Sequence, residues 1–447
     1  MPRPRTQPIS NSALADAIER TGATYSAIAD MLNQVAAEND HLVRATAATL
    51  GKWLNGATPS PAMMAVAVEA FARLLDEPEL SSTGLGWELP GGRDASSDPW
   101  SGDPVTWLLR LGRDDMLNRR TLMASAALYS LTAATPPAHA AIFERTGPAR
   151  SAGRSDVERI RTATHQFGVM DDLYGGGHAR TAVAAYLVHD VAPLLRGTSG
   201  RARPSLFSAA AELVYLLAWM AADDLKTGLA QRYYVQAVRL ADEAGNPVLR
   251  STALRSLAVQ AVELGHAETA LDLADAAASG LRAGAPTRTR AWVTGMRAEA
   301  LAARDRDGHR SVALLRSTEI LLDRADSLPE AELTGTYRQE AYQHQVGLTL
   351  TQLGDLPGAE QAFAASIASR RPTERRTLAL VAARLAEVQL RQGRPVDAAR
   401  TVLDSRGAFD VSSQRVINTL RKLRAGWQVA RTDDKVQQAD QLLACLV

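Results

Sequence analysis

Three stretches in the C-terminal two-thirds of the chain repeat one another, and that self-similarity narrows the fold more than any other feature. They are "ALRSLAVQAVELGHAETALDLADAAASGLRAGAP" around Gly265, "AYQHQVGLTLTQLGDLPGAEQAFAASIASRRP" around Gly354 and "ALVAARLAEVQLRQGRPVDAARTVL" around Gly393. Each reads as a helix ending in Leu-Gly or Gln-Gly, a short turn, and a second helix with alanine at its first packing position. With a weaker copy at Gly228, the turn glycines at 228, 265, 354 and 393 stand 37, 89 and 39 residues apart, and the long gap holds a degenerate copy around Asp307-Gly308. A period in the high thirties built from paired helices predicts an α-solenoid, whose pairs bury their apolar faces only against their neighbours. About six pairs and a C-terminal helix fit into this region.

Composition agrees. Hydrophobic residues make up 46% and charged residues 22% of 447, the range of a soluble protein long enough for two or more domains. Aromatics are only 5%, β-branched residues are sparse beside Ala and Leu, and no strand pattern stands out, so the expected class is all-α. The net charge of +1 makes the whole chain no electrostatic magnet for nucleic acid. Cys445 is the single cysteine, which excludes an internal disulfide and fits a reducing cytoplasm.

The repeats resemble tetratricopeptide (TPR) motifs. Gly347 stands where that family has its small residue in the first helix, Ala359, Phe363 and Ser366 fall at the packing positions of the second, and Pro372 lies near the closing proline. The Gly265 copy matches with Leu257, Ala258, Ala270, Ala274 and Ala277. The Gly228 copy departs from the pattern, with Tyr233 where alanine is usual.

Near the N-terminus, "TAATLGKWLNGATPSP" (Thr46–Pro61) reads as a short helix. Leu50, Trp53 and Leu54 share its inner face, and Ala48, Gly51, Lys52 and Asn55 share the outer one. Gly56 sits where a C-cap requires positive φ, and Pro59 stops the helix. Before it, Tyr25 to Glu38 predicts an amphipathic helix capped by Thr24, with Ile28, Ala29, Leu32 and Val35 inward; after it, Met63 to Leu74 predicts another. This arrangement resembles a lambda-repressor-like (Xre) helix-turn-helix domain. Thr49, Leu50, Lys52, Trp53, Leu54, Gly56 and Pro59 match the Ser/Thr-Val-x-Arg-Trp-Leu-x-Gly-x-x-Pro run of actinobacterial members. "TGLGW" (Thr83–Trp87) and "MLNRR" (Met116–Arg120) resemble elements of the joining region in relatives that carry a TPR-like tail. The resemblance implies a transcriptional regulator similar to peptide-sensing helix-turn-helix/TPR proteins and to regulators of sporulation and antibiotic production. Two features depart from it: a connection from Asn39 to Ala45 longer than the usual turn, and six basic against six acidic residues in 1–75.

The expected organisation is therefore a helix-turn-helix domain over 1–75, a Gly/Pro-rich linker over 76–115 docked by Trp87, Trp100 and Trp107, and a TPR-like effector and dimerisation domain over 116–447. "NRRTLMASAALYSLTAA" (Asn118–Ala134) has the look of a twin-arginine export signal. It lies far inside the chain, so it is read as the helix that begins the second domain, and no other segment is read as able to cross a bilayer.

For double-stranded DNA, Lys52 and Asn55 are expected at base edges and Arg44, Thr46 and Thr49 at phosphates, with Arg3 and Arg5 on an arm able to reach a minor groove. For a peptide, small-molecule or protein effector, Arg255, Glu263, His344, Thr351 and Gln352 are expected on the concave wall, with Tyr215 and Arg297 added. The chain is expected to dimerise, to avoid membranes, and to be no enzyme with neither cofactor nor metal. His189-Asp190 lacks further ligands at helical spacing, "DDLYGGGH" (Asp171–His178) lacks the strand and Gly-Lys-Ser/Thr of a phosphate loop, and the pairs Asp171-Asp172 and Asp223-Asp224 read as solvated helix ends. The rival reading is a protein-interaction scaffold with a degenerate head.

Overall fold

The computed structural model describes residues 10–446 except 39–43, 76, 78–79, 81, 88–99, 101, 125–150, 283, 326–336 and 428–432. The arm bearing Arg3 and Arg5 and the second half of the export-like segment (125–134) lie outside the described residues. Among the described residues the secondary structure is helical, with no strand.

Four helices form the head: α1 (Ser12–Thr21), α2 (Tyr25–Glu38), α3 (Ala47–Leu54) and α4 (Pro61–Leu75). Their core is Leu14, Ile28, Leu32, Val35, Leu50, Leu54, Met64, Ala67 and Phe71, all buried. Leu85 and Trp87 belong to the same core. Trp87 meets Trp53 edge-on, with ring centroids 5.4 Å apart at 79°. Asn11 ties this tail to the first helix. Its Oδ1 accepts from Leu14 N at 3.0 Å as the N-cap of α1, while its Nδ2 donates to Leu85 O at 2.9 Å. The packed head thus runs to Trp87, beyond the limit expected at 75.

The next helix, α5 (Pro104–Ala124), starts before the second limit expected at 116. Leu108, Leu109 and Leu111 are buried in the body, and α5 packs on α7 (Gly176–Tyr186) and α10 (Thr227–Glu243). Of the three tryptophans expected to dock the linker, Trp87 does so in the head, Trp107 is half-buried, and Trp100 is 51% exposed.

From α6 (Arg154–Tyr174) and α7 the chain passes a π-helical turn (Leu187–Val191) and α8 (Ala192–Gly197) into six helical hairpins. These are α9 (Arg203–Asp223) with α10, α11 (Pro247–Glu263) with α12 (Ala267–Ser279), α13 (Thr287–Asp305) with α14 (Gly308–Asp323), α15 (Gln339–Leu353) with α16 (Leu356–Ser369), α17 (Arg375–Arg391) with α18 (Pro395–Asp404), and α19 (Gln414–Gly426) with α20 (Asp434–Leu446). Small residues let the helices approach. A Cβ on Gly347 would stand 2.5 Å from the ring of Phe363, itself 1% exposed. Ala258, Ala270, Ala274 and Ala277 are fully buried in the second hairpin.

In five of these turns one residue is left-handed: Leu225, Gly265, Arg306, Gly354 and Gly393, at intervals of 40, 41, 48 and 39. The first turn is therefore at Leu225, not at Gly228, which lies inside α10. Glycine is the residue that tolerates this conformation, and Leu225 (φ 55°) and Arg306 (φ 51°) occupy it at a steric cost. Arg306 is exposed, so Arg306→Gly relieves that cost without removing packing. It is expected to stabilise the protein by about 0.5–1 kcal/mol in chemical denaturation; no gain would mean the turn is held by its neighbours rather than by its own backbone.

Tyr233, the departure from the repeat pattern, is fully buried and reaches out of its hairpin. Its hydroxyl donates to Asp115 Oδ2 of α5 at 3.2 Å, and the other Asp115 oxygen pairs with Arg180. A large polar aromatic there fastens α5 to the body. One expectation is corrected: α9 is long and apolar enough to pass for a membrane span by length and composition. Its apolar residues, among them Leu206, Phe207, Leu213, Val214 and Leu217, are buried in the body core.

Candidate functional site

The helical path turns so far that its end meets its beginning. α17 packs on α6, and α19 touches α9. Ser412 N donates to Tyr174 O at 2.6 Å, Gly177 N donates to Ser412 O at 3.1 Å, and the Ser413 hydroxyl donates to Asp223 Oδ1 at 2.9 Å. The "GGG" of Asp171–His178 is part of this seam. A Cβ on Gly176 would stand 2.6 Å from the carbonyl oxygen of Met220, and Gly175 (φ 89°) lies against Ser412.

At the seam Arg376, 4% exposed, meets three carboxylates: Asp171 at 3.2 Å, Asp172 at 3.3 Å and Asp223 at 3.8 Å. The acidic pairs expected at solvated helix ends are thus half wrong, because Asp171 and Asp223 are buried. Position along a helix did not show that the last hairpins would cover them. Asp223 is satisfied by Gly176 N at 3.0 Å and by Ser413, whereas Asp171 Oδ1 has no hydrogen-bond partner among the described residues. Burial, only partly opposed by Arg376, pushes Asp171 up to about 7.

Along the inner wall lies a second network. Tyr215, Arg255 and His344 each stand ten residues before the left-handed residue of their turn (225, 265 and 354), which puts them at one level of the wall. The Tyr215 and Ser256 hydroxyls are 3.0 Å apart. Arg255 stacks over Trp292 at 4.3 Å and donates to Gln345 Oε1 at 2.9 Å, and Gln345 in turn donates to Glu299. Glu263 Oε1 accepts from Arg384 at 3.1 Å and also from Arg415. Arg384 donates to His344 Nε2 at 3.0 Å; burial, followed by the neighbouring Arg384 charge, holds that imidazole well below its ordinary range, so it is neutral. Arg376 and Arg415 both face the ring of Trp219, at 5.3 and 5.8 Å.

Four expected effector residues, Tyr215, Arg255, Glu263 and His344, therefore come together. Three do not. Arg297 pairs with Asp275 at 2.7 Å between neighbouring hairpins, the Thr351 hydroxyl donates back to Gly347 O at 2.7 Å, and Gln352 is exposed at the end of α15. Missed by sequence reasoning were Arg376, Arg384 and Arg415, which come from the last two hairpins. A cleft of about 440 Å³ along the seam, lined by Tyr174, His178, Phe409, Val411 and Cys445, contains no expected effector residue. His189 and Asp190 are exposed on the π-helical turn, and among the described residues no group of His, Cys, Asp or Glu could hold a metal.

Burial also pushes Glu299 up to about 7, against the charges of Arg255 and Arg384. Both raised carboxyls, Asp171 and Glu299, bind protons more tightly folded than unfolded. Their contribution is complete below an unfolded carboxyl pKa of about 4 and is lost as pH rises through about 7. The body is expected to melt at a lower temperature at pH 8 than at pH 6, with Asp171→Asn flattening the trend. A melting temperature that does not fall over this range, or that Asp171→Asn leaves unchanged in slope, would contradict the raised carboxyls.

In the head, Thr46 caps α3 and its N–H donates to Thr49 Oγ1 at 3.0 Å. The Asn33 amide clamps the chain entering α3, accepting from Ala45 N at 2.7 Å and donating to Ala45 O at 2.9 Å. Arg44, Thr46, Lys52 and Asn55 are exposed and Thr49 is half-buried, so the five expected DNA-facing residues lie on or beside one short helix. Arg20 pairs with Glu77 and Asp16, and Arg73 pairs with Glu69 at 2.7 Å. Glu69 also meets the body, where His266 Nε2 lies 3.3 Å away. Burial opposes its charge, but the hydrogen bonds from His266 and Arg73 prevail and hold Glu69 at about 2.

Residues 14–88 match the family model of the SP15 N-terminal domain. The match covers the head core from Leu14 to Trp87 and ends there. No curated protein matches the chain.

Proposed function

We propose that the protein is a DNA-binding transcriptional regulator whose helical body takes an effector and mediates dimerisation in the cytoplasm. The head is a helix-turn-helix domain with α3 as its recognition helix, and the body is a TPR-like solenoid. The observation that carries this reading is the distribution of positive charge in the head. Of the described cationic side chains there, Arg20 and Arg73 are neutralised by carboxylates, while Arg44, just before α3, and Lys52, on it, form no salt bridge among the described residues. A head with balanced charge can still offer phosphate a basic stripe if its acids are spent elsewhere. The inner wall, with its guanidinium groups and indole faces, is the surface suited to an effector.

Selection of bound duplexes from a random pool tests the reading. One sequence is expected to be enriched. Lys52→Ala is expected to cost about 1–3 kcal/mol at that sequence and relax preference at one position, and Arg44→Ala to weaken all sequences alike. No enrichment by the full chain, with or without a cell extract, would favour a scaffold with a degenerate head.

A further inference from the structure

Two contacts already described stand three residues apart in one turn. Glu263 ends α11 and carries the carboxylate shared by Arg384 and Arg415. His266 is the N-cap of α12 and faces Glu69 of the head. Between them Gly265 is left-handed (φ 86°), and His266 N donates to Ala261 O at 2.9 Å, so the two residues are tied through one hydrogen-bonded turn. We propose that Glu263 is an internal stand-in for the carboxylate of a small organic anion, and that an anion taking Arg384 and Arg415 from it frees this turn and loosens the head at His266–Glu69. This rests on the reading of the inner wall as the effector site.

The Glu263 carboxylate is the open member of this cluster: its side chain is 34% exposed, against 17% for Arg384 and 9% for Arg415. A dissolved anion therefore approaches the two guanidinium groups from the side that Glu263 occupies. Three guanidinium groups, Arg255, Arg384 and Arg415, gather here around Glu263 and Glu299, with Glu387 also beside Arg384 and Asp223 beside Arg415, and of these carboxyls Glu263 is the one bonded to both Arg384 and Arg415. Both guanidinium groups reach the same Glu263 oxygen, so each retains donors for a second carboxylate. The indole of Trp219, facing Arg415, suits a ligand with a flat apolar body behind its charge.

The test uses the full chain without DNA, with benzoate as the probe and benzamide as its uncharged counterpart. The readouts are the affinity for each and the hydrogen exchange of α4. His266→Ala, which leaves the Glu69–Arg73 pair within α4 intact, is expected to raise α4 exchange about two- to five-fold, showing that the contact holds the head. Glu263→Gln is expected to raise it comparably without any anion and to tighten benzoate binding about tenfold. In the native protein benzoate, but not benzamide, is expected to raise α4 exchange, and Arg384→Gln to abolish that response. Equal effects of benzoate and benzamide overturn the carboxylate assignment. Unchanged α4 exchange in Glu263→Gln, or in His266→Ala, overturns the relay. None of these readouts involves DNA, so their failure leaves the DNA-binding reading standing, and the reverse also holds.

Discussion

Arg376→Met removes about 3–5 kcal/mol of stability from the body, the range found when one partner of a buried ion pair is deleted. Methionine nearly conserves volume, so the loss reports charge rather than a cavity. Asp171 and Asp223 are left buried without the guanidinium that sits 3.2 and 3.8 Å away. Asp223 keeps Gly176 N and the Ser413 hydroxyl, while Asp171 keeps no partner for its Oδ1. Asp171→Asn combined with Arg376→Met is therefore expected to recover part of the loss, measured by urea denaturation of the four members of the double-mutant cycle. Because α17 meets α6 at this point, the same variant is expected to lose amide protection in both helices first. A loss below about 1 kcal/mol would mean that the chain closes on itself without the ion cluster.

Trp53→Ala is expected to cost the head about 3–5 kcal/mol, the usual penalty for truncating a large buried aromatic. Trp53 is 5% exposed, contacts Trp87 edge-on, and anchors α3 to the tail that follows α4. The edge-on pair adds roughly 0.5–1.5 kcal/mol beyond the area it buries. A unit of this size has little stability beyond that penalty, so the head is expected to unfold at 37 °C while the body stays helical. Hydrogen exchange resolves the two, since α1, α2 and α4 are expected to lose amide protection while the body's hairpins keep theirs. An intact head in Trp53→Ala would show that α3 is fixed chiefly from its other side, by Asn33 and Ala45.

Local physics was legible and closure was not. The limits of α2 and its Thr24 cap, the inner face of α3 at Leu50, Trp53 and Leu54, and the positive φ of Gly56 all follow from short-range periodicity and capping, and the structure has them. The turn at Leu225 was misplaced to Gly228 because a glycine marks the left-handed position only when the chain uses one. Leu85 and Trp87 looked like linker because the Gly/Pro-rich stretch begins beside them; the edge-on contact with Trp53 is a long-range fact. The wall residues Tyr215, Arg255 and His344 could be found because they share a register. The partners of Glu263, Arg384 and Arg415, could not, because a repeat pattern fixes neighbours within the stack and carries no signal for contacts across more than a hundred residues. Asp171 and Asp223 were misread for the same reason.

The salt dependence of DNA binding bears most directly on the proposed role of the head. The full chain and Arg44→Ala are titrated onto the duplex enriched by selection, from about 50 to 200 mM salt. Binding is expected to weaken linearly on a logarithmic scale as salt rises, and Arg44→Ala to flatten the slope by about 0.9, the release of one phosphate's counterion. A slope near zero, or one that Arg44→Ala leaves unchanged, would contradict a DNA-facing α3.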